Sequence, residues 1–150
     1  YGHLDLIGRA AHLFDHLIVA VARNHAKAAL FTVEERVAML EEVTAGFKTV
    51  EVSTFAGLTA EFARSRNVNA LVRGLRAISD FEFELSMAIT NQKINPAIDT
   101  VCLMPSERYL FLSSRVVREI ARFGGDLTDF VPPAIEHQLR AKFKTPGSLD

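Results

Sequence analysis

The stretch Val72-Arg73-Gly74-Leu75-Arg76-Ala77-Ile78-Ser79-Asp80-Phe81-Glu82-Phe83-Glu84 leaves an apolar run, turns on a glycine and opens into a helical pattern. It carries two arginines close to a predicted helix start, with Asp80, Glu82 and Glu84 behind them. A helix N-terminus presents unpaired N–H groups and the positive end of the helix dipole, both suited to phosphate. Strand, turn and helix in that order also predict a unit of an α/β domain, and the flanking segments can be read against that frame.

Upstream, Ala70-Leu71-Val72 reads as the strand that feeds the turn, and Ile78 to about Gln92 as the helix that follows. Ile78, Phe81, Leu85, Ala88 and Ile89 fall on one side of that helix and are its predicted inward face. The same alternation precedes it. Residues 2–13 form an amphipathic helix, with Leu4, Ile7, Ala11 and Phe14 at helical spacing. Leu17 to Ala22 is a short, nearly unbroken apolar run, as a strand covered on both faces requires. Thr32 and Glu35 spell a capping box and start a helix with Val33, Val37, Leu40 and Val43 inward. Thr49 to Val52 is a strand, and Leu58 to Arg66 a helix burying Leu58 and Phe62.

Downstream, Thr100 to Met104 is a strand stopped by Pro105. Ser113 to about Phe123 is a helix with Val116, Val117 and Ile120 inward, ended by Gly124-Gly125, and a last helix runs from Pro133 to about Lys142. Strands alternating with helices at this spacing predict a Rossmann-like α/β domain, an open parallel sheet with helices on both faces. One domain over residues 1–143 is expected, with a disordered tail over 144–150.

With 150 residues there is enough chain for one continuous core, and 49% apolar residues supply it. The net charge of −1 argues against a broad nucleic-acid or anionic-membrane surface, so an anion site must be a local cluster of cations. No run of about 18 apolar residues is present to span a membrane. The lone Cys102 sits in an apolar run and is expected to be a buried, inert thiol in a cytoplasmic protein.

Open parallel sheets bind ligands outside the carboxyl ends of their strands. Lys27, Arg73 and Ser106 follow predicted strands, Ser113 and Ser114 open a helix, and His3 lies in the first turn of the first helix. Lysine offers a point charge and arginine a planar fork for phosphate oxygens, so electrostatic catalysis of group transfer is favoured over covalent catalysis. Each residue has an ordinary structural alternative. Lys27 and His3 could be solvated surface groups, and Ser113 a plain N-cap. Glu34 and Glu35 read as capping and solvation, and His12, His16, His25 and His137 as surface residues. No metal-ligand spacing of Cys and His occurs.

With those residues identified, the chain resembles the bacterial phosphopantetheine adenylyltransferases, of the nucleotidylyltransferase superfamily marked by a T/H-x-G-H motif. The resemblance rests on Arg73 to Glu84, on Phe31-Thr32-Val33-Glu34-Glu35-Arg36, on Gly2-His3-Leu4-Asp5 and on Leu112-Ser113-Ser114. It implies transfer of the adenylyl group of ATP, with Mg²⁺, to 4′-phosphopantetheine, giving dephospho-coenzyme A and pyrophosphate. It implies catalytic roles for His3, Lys27 and Arg76, and acceptor binding by Lys27, Thr59 and Arg73. ATP binding is implied for His3, Gly74, Leu75, Arg76, Glu84, Tyr109, Leu110, Phe111, Leu112, Ser113, Ser114 and Arg115. A homohexamer inhibited by coenzyme A is the implied assembly, with no nucleic-acid or membrane partner.

The sequence departs from that pattern at three points. A central strand and a Pro-Gly-Thr-Phe-Asp-Pro loop are expected ahead of Gly2-His3 and are not in this chain, so residues 1–150 alone are expected to fold poorly and be inactive. Arg115 stands where a third serine is common, and Thr59 is more polar than a residue facing a pantetheine arm should be. Two competing readings are another small-molecule nucleotidylyltransferase and a nonenzymatic nucleotide-binding domain.

Overall fold

In the computed structural model, residues 1–23 and 29–144 are described. Of the expected tail over 144–150, Lys144 instead ends the last helix, while residues 145–150, His25 and Lys27 lie outside the described residues, as do the side chains of Ile78 and Ser79. The chain alternates as α1 (Gly2–Leu13), β1 (Leu17–Ala22), α2 (Val33–Thr44), β2 (Val50–Phe55), α3 (Thr59–Ser65), β3 (Ala70–Gly74), α4 (Ile78–Ile94), β4 (Asp99–Leu103), α5 (Ser114–Arg122) and α6 (Pro133–Lys144). A 3-10 turn at Glu107–Tyr109 precedes α5. The fold is Rossmann-like α/β.

Both strand pairings are parallel. β1 pairs with β2 from Leu17↔Val50 to Ala22↔Phe55, with α2 as the crossover. β3 pairs with β4 from Ala70↔Asp99 to Gly74↔Leu103, with α4 as the crossover. Backbone bonds outside the strands lengthen each ladder, Arg23 N to Phe55 O at 2.8 Å and Leu75 N to Leu103 O at 3.1 Å. The expected single open sheet is therefore two two-stranded sheets among the described residues, with no ladder between β1 and β3. α1 spans the division. It packs on β1, and its Leu6 Cδ2 lies 3.1 Å from where a Cβ on Gly74 would stand. A Cβ there would press on the Leu6 side chain more tightly than ordinary packing does, so the glycine eases the approach of the helix to the end of β3.

Thr32 caps α2 as its spacing predicts. Its hydroxyl accepts from Glu35 N at 3.1 Å, and its own N–H donates to Glu35 Oε2 at 2.8 Å. Glu35 also pairs with Lys142 of α6 at 2.7 Å, and the Lys142 Nζ stands 5.9 Å from the centroid of the Phe31 ring. Beneath this contact is a core cluster in which Ala121, Leu127, Val131 and Leu139 are buried, with Leu30, Phe31, Val117 and Ile120 packed on it.

Several expectations about burial are corrected. Cys102 is exposed, because it shares a register position, and so a face, with the half-solvated Arg73. In α3 the buried residues are Ala60 and Ala63, while Leu58 is exposed. Those small residues let α3 approach α4, where Asn95 Nδ2 donates to Ala60 O at 3.3 Å and Arg64 Nη2 to Ile94 O. In α4 the buried positions are Glu84 and Asn91, whereas Phe81, Leu85 and Ile89 are exposed. Val116 of α5 is exposed too, and in β1 only Val21 is fully buried. No helix is long and apolar enough to cross a membrane among the described residues.

Candidate active site

The end of β3 delivers Arg73, whose guanidinium closes a two-pronged ion pair with Glu84, one turn and a half into α4. Nε donates to Oε2 and Nη2 to Oε1, each at 2.7 Å. Glu84 is buried and the Arg73 side chain half-exposed, so the carboxylate fixes the fork from below. Hydrogen bonding to Glu84 raises the Arg73 pKa against the opposing effect of burial, keeping the cation in place. An arginine has five N–H donors, so two directed at Glu84 leave the others for an anionic ligand. The pairing joins two residues for which the family resemblance implied separate roles.

Past Gly74 the chain turns and Arg76 reaches both ways. Its backbone N–H donates to Asp80 Oδ2 at 3.1 Å and its Nε to the same oxygen at 3.3 Å. Asp80 lies in the first turn of α4, and its pKa is lowered chiefly by the Arg76 backbone N–H, despite partial desolvation. The far end of the guanidinium, Nη1, donates to Leu112 O at 3.3 Å. Arg76 thus ties the β3–α4 turn to the segment that runs into α5.

That segment also meets α1. The Tyr1 and Tyr109 rings stack with centroids 6.2 Å apart, and Gly2 sits 3.9 Å, at its Cβ position, from Leu112 Cβ. Leu112 is buried, Leu110 and Phe111 are exposed, and Ser113 caps α5 by accepting from Val116 N at 3.2 Å. Ser114 and Arg115 are exposed on the first turn of α5. A second tie runs from Asp5, whose Oδ1 accepts from Ser106 Oγ at 2.6 Å and whose Oδ2 accepts from Ser106 N at 3.2 Å. Arg9 donates to Met104 O just before it.

His3 stands at this junction in the first turn of α1. Its residue surface is largely open to solvent, yet protein atoms crowd the ring on its inner side. Burial first, and then Arg76, lower its pKa below the ordinary 6.5, so the imidazole is mainly neutral at pH 7. The structure therefore gathers His3, Gly74, Leu75, Arg76 and 109–115 into one place, with Arg73 and Glu84 adjoining. Thr59 is half-buried at the start of α3, and the hydrogen bonds linking those segments do not reach it. Lys27 lies outside the described residues. Asp80 and Arg9 were not among the expected site residues. Asp80 was legible as an acid at a helix start, but nothing local pairs Arg9 with residue 104.

A family model described as cytidylyltransferase-like matches residues 1–120. Curated proteins named phosphopantetheine adenylyltransferase match nearly the whole chain. That of Caldanaerobacter subterraneus subsp. tengcongensis is 51% identical over 144 residues, 96% of this chain and 90% of the relative. The chain belongs to the phosphopantetheine adenylyltransferase family. The Carboxydothermus hydrogenoformans and Desulforudis audaxviator members of that family are 49% and 50% identical over 146 residues, 97% of this chain and 90% of each relative. In this member the acids around the junction are already engaged: Asp5 by Ser106, Asp80 by Arg76 and Glu84 by Arg73. Among the described residues no three His, Cys, Asp or Glu side chains converge as a metal cage.

Proposed function

We propose that this chain transfers the adenylyl group of ATP to 4′-phosphopantetheine, releasing pyrophosphate and giving dephospho-coenzyme A. The observation that carries the reading is the convergence of His3, Arg76 and the 109–115 segment beside the Arg73–Glu84 pair. The family membership supports the same reaction. An oxygen of the acceptor phosphate attacks the α-phosphorus of MgATP, and the bond from that phosphorus to the oxygen bridging to the β-phosphate breaks. The acceptor is already ionised, so no general base is needed. The task is to hold like charges together and to stabilise charge that builds on the α-phosphoryl oxygens.

The side chains suit that division. Arg73, braced by Glu84, presents its remaining donors to the acceptor phosphate, with Lys27 as the second cation and Thr59 toward the pantetheine arm. Arg76 faces the ATP phosphates. His3, held mainly neutral, donates an N–H where charge develops and adds no standing attraction for the ground state. Gly74, Leu75 and residues 109–115 cradle the nucleotide. In this reading the enzyme works in the cytoplasm as a homohexamer, with coenzyme A as a feedback inhibitor.

The test is pyrophosphate release by the full-length protein with ATP, Mg²⁺ and 4′-phosphopantetheine. Turnover with this acceptor, and none with nicotinamide mononucleotide or glycerol phosphate, is expected. ATP binding with no pyrophosphate release from any acceptor would overturn it in favour of a nonenzymatic nucleotide-binding domain.

A further inference from the structure

The N-cap residue of α4 is Ala77, whose side chain makes no capping hydrogen bond. The carboxylate three positions on, Asp80, reaches back past that residue to Arg76. One oxygen, Oδ2, accepts both the Arg76 backbone N–H at 3.1 Å and the Arg76 Nε–H at 3.3 Å. The backbone bond closes the turn between β3 and α4. The side-chain bond adds nothing to the helix, because the group it holds runs on to another segment.

There the far end of the guanidinium donates from Nη1 to Leu112 O at 3.3 Å, so two of its three nitrogens are pinned. Two anchors remove rotations that a half-exposed arginine side chain otherwise keeps. Of the five N–H donors, both on Nη2 and one on Nη1 remain unused among the described residues. Donors held in one fixed plane suit the oxygens of a phosphate.

The charge of Asp80 is informative as well. Asn or Ser caps a helix about as well as Asp does. A carboxylate beside a polyphosphate repels it, so a cap alone would be better made by a neutral residue. The Asp80 pKa is lowered chiefly by the Arg76 backbone N–H, then, against desolvation, by the Arg76 guanidinium, and least by the Ala77 N–H. The carboxylate is therefore ionised at neutral pH. Glu84 on the same helix is taken up by Arg73, which leaves Asp80 as the acid that serves Arg76.

We propose that Asp80 is a positioning residue for adenylyl transfer, its carboxylate locking the Arg76 guanidinium in the orientation that meets the ATP phosphates in the transition state. This role rests on the reading of Arg76 as the group that faces those phosphates. Asp80→Asn tests it, since the variant keeps an oxygen for the backbone N–H and removes the charge that holds Nε. Steady-state pyrophosphate release by the full-length variant is expected to show kcat lowered about tenfold. The KM for ATP is expected to stay level or fall, because a repelling charge is gone.

A purely structural cap would behave differently. Its loss would lower the melting temperature and leave kcat per folded molecule intact, whereas thermal unfolding of Asp80→Asn is expected to match the wild type. In an Arg76→Ala background the same substitution is expected to lower kcat no further, because the group it positions is absent. A kcat in Asp80→Asn within about twofold of wild type, a raised KM with kcat kept, or losses that add in the double variant would each overturn the role of Asp80 alone. A wild-type protein that releases no pyrophosphate with any acceptor would overturn the reaction and that role together.

Discussion

At His3, burial and Arg76 both disfavour the imidazolium. An NMR titration of the full-length protein should therefore place the His3 midpoint below 6.5, and Arg76→Gln should move it upward. The folded state takes up this proton at lower pH than the unfolded chain. Between the two midpoints the unfolded chain binds more protons, so stability rises with pH through the window just below about 6.5 and is level above it. A midpoint at or above the ordinary value would contradict the crowding described. For turnover, His3→Ala should lower kcat by about 10²–10³-fold, the loss typical of one oxyanion donor, with a much smaller effect on ATP binding. Steady-state kinetics with near-normal kcat would remove His3 from the mechanism. Arg73, Arg76 and Glu84 were legible in sequence because strand, glycine and helix place them within a dozen residues. The Asp5–Ser106 tie was not, since no local pattern relates positions 101 apart.

Element by element, the extent of each helix was readable and its orientation was not always so. The capping box of α2 is a local hydrogen-bond pattern, and it forms as its spacing predicts. Removing it with Thr32→Ala should cost about 1 kcal/mol of stability, within a range of about 0.5–2. Chemical denaturation measures this, and a change below about 0.3 kcal/mol would show that the Lys142–Glu35 pair holds the helix start without the cap. α4 shows why orientation escaped. Helical periodicity groups Phe81, Leu85 and Ile89 correctly but cannot say whether the group meets its own sheet or another molecule. The stripe that does meet the sheet is mostly polar, and its Asn95 is satisfied by the Ala60 carbonyl of α3, far away in sequence. Alanines misled in the same way in α3, where Ala60 and Ala63 permit a close approach that larger residues would block.

For the molecule as a whole, the alternation of strand and helix gave the fold class, while the pairing of strands was hidden because period carries no information about neighbours. The two parallel pairs meet through α1, which packs on β1 and is anchored by Asp5 to Ser106 beyond β4, while Arg76 ties the β3–α4 turn to Leu112 beside it. Saturating MgATP should accordingly stabilise the full-length protein. At 100 times Kd the gain is about 2.7 kcal/mol, or a rise in Tm of about 5–10 °C for a domain of this size. Differential scanning calorimetry showing no shift would mean that the junction does not bind the nucleotide.

The same junction also sets an order of events during folding. Each strand pair closes over roughly thirty positions, Leu17 to Val50 and Ala70 to Asp99, whereas Asp5 must find Ser106. Loop-closure entropy delays contacts between distant positions. A chain leaving the ribosome can therefore complete β1–β2 while the last third is still being made, but α1 must wait for its anchor. Ligand-binding competence is thus a late property of the maturing chain, and a partly folded intermediate holding both strand pairs would still be blind to ATP.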